Sequence, residues 1–194
     1  MRIKWVVWRL TIAMALAEVL LVFTSWLLSA MMIPGVRPIL STEGIRWFFG
    51  NFLSMLATPA LVCLMLLAMA LGCLWDSGLL QRPMTYRDRT ARRTVALLLV
   101  VYVAVIMLLS VIPHAVLLSA TGRLLPSPFS RALVPIMTFG LLMLSAVYGL
   151  LAGRFASLEA VCLAMAKGVG MCSPLFVFYI FFVQLYESIR FVFV

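Results

Sequence analysis

The chain has 194 residues, of which 65% are hydrophobic and 11% charged, with a formal net charge of +9 and a mean hydropathy of +1.18. This balance lies outside the range of soluble domains and reads as an integral membrane protein; the apolar runs are continuous rather than alternating, which excludes a transmembrane barrel and leaves helices, whose backbone groups satisfy one another in hydrocarbon. The fifteen basic residues gather at the ends of apolar runs without interleaved exposed aromatics, so they read as topology signals and lipid-headgroup contacts, with no nucleic-acid partner.

Five segments reach the roughly 20 apolar residues that a bilayer demands: about 5–32, 57–75, 94–112, 132–152 and 171–188. The expected fold is therefore all-α, one polytopic membrane domain over 1–194 with about five transmembrane helices and short interfacial helices. The start, MRIKWVVWRL, resembles the basic region of a signal peptide, but the apolar run from Leu10 to Met32 is 23 residues long, so it reads as an uncleaved first helix. Glu18 falls near its middle, where a charged carboxylate costs roughly 2.5–3.5 kcal/mol on insertion scales. Two readings stand side by side: a proton or cation relay or a docking contact with another chain, and a neutral carboxyl hydrogen-bonded to Thr11, Thr24 or Ser25.

Before the second span, GIRWFFGNFL (Gly44 to Leu53) reads as an interfacial lead-in, with Trp47, Phe48, Phe49 and Phe52 as belt residues and Pro59 at the turn downward. Asp76, Ser77 and Gly78 close that span as a helix stop. The next segment, Gln81 to Arg93, carries five arginines and one aspartate and reads as a cytoplasmic loop. With Arg2, Lys4, Arg9, Arg154 and Lys167 it makes ten basic residues inside, against Arg37, Arg46, Arg123, Arg131 and Arg190 outside, an N-in, C-out orientation.

The third and fourth spans are joined by an outer loop in which Pro113, Gly122, Pro126 and Pro128 cannot all continue a helix, with the lone His114 read as a wetted loop residue. In the fourth span Gly149 and Gly153, four apart among other small residues, are candidates for close helix packing, although such spacing is common by chance. Phe155 to Gly168 places Leu158, Val161, Cys162 and Met165 at i, i+3, i+4 and i+7, which predicts a short cytoplasmic amphipathic helix with a flexible exit at Gly168 and Gly170. In the last span Gln184 is a candidate for hydrogen bonding between helices, and Glu187 and Arg190 are spaced for an i, i+3 ion pair.

Cys63, Cys73, Cys162 and Cys172 lack CxxC spacing and the chain has one histidine, so they read as packing residues rather than a zinc site or disulfide scaffold. No nucleophile elbow, phosphate loop, HExxH or paired carboxylates stand in the sequence, so neither an enzyme nor a cofactor is expected.

Two blocks carry a resemblance. EGIRWFFGNFLSMLATPALVCLMLLAMALGCLWDSGLL (Glu43 to Leu80) resembles the second-helix region of the p-aminobenzoyl-glutamate transporter (AbgT) family, with its G-[IL]-R-W lead-in and closing S-G-L. Thr121 to Leu185 is similar to that family's central region. There Gly122, Leu124 to Pro128, Val134, Pro135, Val147, Tyr148, Gly149, Ala152, Gly153, Ala164, Met165 and Gln184 match a G-x-L-L-P-S-P loop, a V-P-[IL] helix start, a V-Y-G-x-x-A-G helix end, an amphipathic segment and a helix with a Gln. The resemblance implies secondary transport of p-aminobenzoyl-glutamate or a related anionic aromatic compound in the bacterial cytoplasmic (inner) membrane. It also implies an internally shortened, C-terminally truncated member, in which Gln81 to Thr90 stand in place of a hairpin region. Two functions follow: a transport protein acting as a homo-oligomer or a remnant, and a non-transporting subunit or scaffold that packs against a larger transporter in the bilayer.

Overall fold

The computed structural model describes residues 2–33, 35–82, 85–111 and 128–193. The described regular structure is helical throughout: α1 (Arg2–Ala30), α2 (Thr42–Leu56), α3 (Pro59–Ser77), α4 (Tyr86–Val111), α5 (Pro128–Leu151) and α6 (Leu158–Phe193). Five of these are long and apolar enough to cross a membrane: Trp5–Ala30, Pro59–Ser77, Tyr86–Leu109, Ala132–Leu151 and Leu158–Phe193. All five predicted spans are thus present as helices. Pro113, His114, Gly122, Arg123 and Pro126, expected in the loop before α5, lie outside the described residues.

The chain forms two compact units, one built from Met1–Val62 with Cys172–Val194, the other from Cys63–Met171. In the first unit, α1 ends with Met32 in the left-handed region (φ 57°). There the amide of Ile33 donates to Leu28 O and that of Met32 to Ser29 O, which closes the last turn. The following segment is fixed by the amide of Arg37 donating to Val192 O at 3.1 Å and that of Ile39 to Ser25 Oγ at 3.4 Å. Ser41 then caps α2, accepting from the Gly44 amide at 3.0 Å. Trp47 stacks on Phe191 with ring centroids 4.2 Å apart, while Phe48 meets Phe49 edge-on. The predicted aromatic lead-in is this 15-residue amphipathic helix.

The second unit holds two apolar clusters. One is Cys73, Phe155, Val161 and Ala164; the other is Ala91, Val95, Leu144 and Tyr148. Here the structure corrects two readings. The basic segment 81–93 is not loop throughout, because α4 already begins at Tyr86. Thr85 supplies the start, its amide donating to Asp88 Oδ2 at 3.2 Å, the acidic half of a capping box. Phe155 to Gly168 is not a separate helix with a hinge, since α6 runs unbroken through Gly168, Gly170 and Pro174. A helical glycine costs only about 1 kcal/mol relative to alanine. At Gly168 its lack of a side chain is used for contact: a Cβ there would lie 2.2 Å from Ala68 O and 2.7 Å from Gly72 Cα. A Cβ on Gly72 would in turn lie 2.5 Å from Ala164 O. The backbones of α3 and α6 therefore touch along Ala68, Gly72, Ala164 and Gly168, two small-xxx-small ridges.

Candidate functional site

Glu18 and Gln184, the two polar residues singled out within spans, meet at a third residue. Ser188 Oγ donates to Glu18 Oε1 at 2.6 Å, and Gln184 Nε2 donates to Ser188 Oγ at 3.5 Å. Glu18 comes from α1 and the other two from α6, one turn apart, so helical spacing sets the pair and tertiary packing brings the carboxylate. Gln184 and Ser188 are buried, Glu18 half-buried.

The partners expected for Glu18 are not the ones it uses. Thr11, Thr24 and Ser25 each donate to a carbonyl of their own helix, Val7 O, Leu21 O and Val22 O. A hydroxyl one turn after a helical carbonyl finds that acceptor without any tertiary contact, whereas Ser188 is oriented toward Glu18 from 170 positions away. After these bonds two acceptors are left over, since Glu18 Oε2 and Gln184 Oε1 are buried without a protein partner. Lone pairs on two oxygens in one polar cluster inside an apolar unit suit a proton or a small cation, either of which would supply the missing donor or positive charge.

The other predicted residues fall elsewhere. A Cβ on Gly149 would lie 2.2 Å from Phe155 Cδ2, so this position receives an aromatic ring from the turn after α5. Gly153 has φ +76°. It closes α5, the amide of Arg154 donating to Gly149 O at 2.8 Å and its own to Leu150 O at 3.2 Å, a Schellman end. Among the described residues the ion pair within 4 Å is Lys167–Asp76 at 2.8 Å, and Glu187 and Arg190 do not pair. The helix stop at Asp76 and Ser77 is as read, with Gly78 left-handed at φ +70°.

Sequence reasoning also missed what the arginines of 81–93 hold. Arg87 Nε donates to Leu151 O, the last residue of α5, at 2.7 Å. Arg92 Nη2 donates to Leu79 O at 3.1 Å and Gln81 O at 2.6 Å, just past the end of α3. Helix C-termini leave carbonyls without amide partners and carry partial negative charge, so a guanidinium is a fitting cap. An arginine near a predicted helix end was the available signal. Ser188, by contrast, gave only its i+4 spacing from Gln184.

With the geometry described, similarity adds the family. A family model described as the AbgT putative transporter family matches residues 76–190. The match contains the whole of the second resembling block and the last five residues of the first. No curated protein and no solved structure matches the chain. The match spans more than half of the sequence, and it agrees with the membrane-spanning helices: the chain is an integral membrane protein and belongs to the AbgT transporter family.

Proposed function

We propose that this protein is a secondary transporter of p-aminobenzoyl-glutamate or a related anionic aromatic compound, and that Glu18, Ser188 and Gln184 carry the coupling proton. The family match over 76–190 is the observation that carries the transport reading. The coupling role is supported by the polar cluster. Glu18 keeps one oxygen on the Ser188 hydroxyl and leaves the other without a protein partner, so a proton can arrive and depart without breaking the Ser188 contact. A protonated Oε2 becomes a donor in a cluster where Gln184 Oε1 lacks one. Neutralising the carboxyl removes most of the roughly 2.5–3.5 kcal/mol that a charge costs within a span, so loading and release of the proton would bias two conformations differently. The expected threading is N-in, C-out from the distribution of basic residues, and the family resemblance implies the bacterial cytoplasmic membrane.

The test is uptake of labelled p-aminobenzoyl-glutamate into proteoliposomes holding the full chain, with and without an imposed proton gradient. Gradient-dependent flux is expected, reduced at least tenfold in Glu18→Gln, which keeps an oxygen for Ser188 but cannot carry the proton. Wild-type rates in that variant would remove Glu18 from the coupling. No flux under any gradient would assign the chain to the second function, a subunit that packs against a larger transporter.

A further inference from the structure

A pocket of about 380 Å³ in the first unit lies between the segment after α1, the start of α2 and the last turns of α6. It is lined by Arg37, Glu43, Trp47, Glu187, Arg190 and Phe191. Two positive and two negative side chains, Arg37, Glu43 and Arg190 exposed and Glu187 half-buried, face one open groove, and none of the four forms an ion pair with another within 4 Å. The frame around them is fixed: Arg37 by its amide on Val192 O, Glu43 by the Ser41-capped first turn of α2, and the wall by the Trp47–Phe191 stack.

Charge complementarity narrows the ligand. An anion alone would face two carboxylates, and a cation alone two guanidinium groups, each an unfavourable like-charge meeting. A zwitterion matches both pairs and leaves no net charge. Guanidinium forks match phosphate oxygens bidentately. Carboxylates bind best a cation that donates hydrogen bonds, which favours a primary ammonium over a quaternary one. A primary ammonium has three donors to share between Glu43 and Glu187, and a quaternary group has none. The volume sits at the lower end of ligand sites, suited to a headgroup-sized molecule. In the same unit Ile45, Phe49 and Phe193 are exposed large apolar side chains, a surface for acyl chains.

We infer that this pocket binds a phosphoethanolamine group, its phosphate on Arg37 and Arg190 and its ammonium on Glu43 and Glu187. The group reaches the protein either as the headgroup of phosphatidylethanolamine or as a soluble phosphoethanolamine ester. The assignment does not depend on the transport reading.

Native mass spectrometry of the full chain, offered phosphatidylethanolamine, phosphatidylglycerol and phosphatidylcholine with the same acyl chains in equal amounts, tests it. Phosphatidylethanolamine should be retained about tenfold over either competitor, a difference of about 1.4 kcal/mol. The double variant Glu43→Gln with Glu187→Gln should lose the preference over phosphatidylglycerol, and Arg37→Gln with Arg190→Gln should lose retention of both. Circular dichroism checks that each variant is folded. Titration with glycerophosphoethanolamine separates the sources: displacement at concentrations comparable to the lipid supports a soluble ester, and failure to displace at large excess supports the phospholipid. Equal retention of the three lipids by the wild type, or a preference that survives in a folded Glu43→Gln, Glu187→Gln protein, overturns the assignment.

Discussion

Ser188 accepts from Gln184 and donates to Glu18, so its removal strands polar atoms on both neighbours. In water-soluble cores an unsatisfied buried group costs about 1–3 kcal/mol. Interhelical hydrogen bonds in membrane proteins average about 0.6 kcal/mol with a maximum near 1.7, because the unfolded state in lipid also finds partners. The second scale governs here, and Ser188→Ala is expected to destabilise by about 0.5–1.5 kcal/mol, read from unfolding in mild detergent. A different residue-scale effect belongs to Met32, whose left-handed backbone costs a side-chain-bearing residue roughly 1–2 kcal/mol. Its side chain is 89% exposed and packs against little. Met32→Gly should therefore raise stability by about 0.5–1 kcal/mol, and a lowered melting temperature would show that the turn is not strained. Glu18 was legible in the sequence because a carboxylate amid apolar residues is an energetic anomaly wherever it packs. Its partner was not, since which serine faces it is set by how α1 and α6 meet, a fact that no local spacing encodes.

Between elements, the contact of α3 with α6 carries the sharpest constraint. A Cβ on Gly72 or Gly168 would come within 2.4 or 2.2 Å of the opposing backbone, and backbone cannot rotate aside as a side chain can. Either Gly72→Ala or Gly168→Ala should destabilise the second unit by about 1–3 kcal/mol, the usual range for overpacking, with larger losses for leucine. The neighbouring Lys167–Asp76 pair, 55% and 24% exposed at its two side chains, is worth little by comparison. Asp76→Asn is expected to cost under about 1 kcal/mol in the same assay. Glycine was visible in the sequence but its use was ambiguous: Gly149 and Gly153 carry the same four-residue spacing as Ala164 and Gly168, yet they finish a helix and admit a phenyl ring. Periodicity identifies a face and does not say what lies against it. Helix existence was easier to read because hydrocarbon forces each span to satisfy its own backbone, whatever its neighbours.

For the molecule in its bilayer, the threading rests on charge counting and is open to a direct measurement. With the native cysteines replaced, Arg89→Cys and Arg123→Cys are expected to react with impermeant thiol reagents from opposite sides of the membrane. Labelling of both from one side would sink the N-in, C-out arrangement. The length of α6 has a further consequence. Thirty-six residues rise about 54 Å at 1.5 Å each, against a hydrocarbon slab near 30 Å. Even at a lean of 40°, the upper end of observed tilts, a straight helix of this length would reach about 41 Å, on the order of 10 Å more than the slab holds. Glu159 and Lys167 fall in its first third. That stretch is best wetted, so the first turns of α6 suit the aqueous interface, while Ser188 stands toward the other end of the same helix.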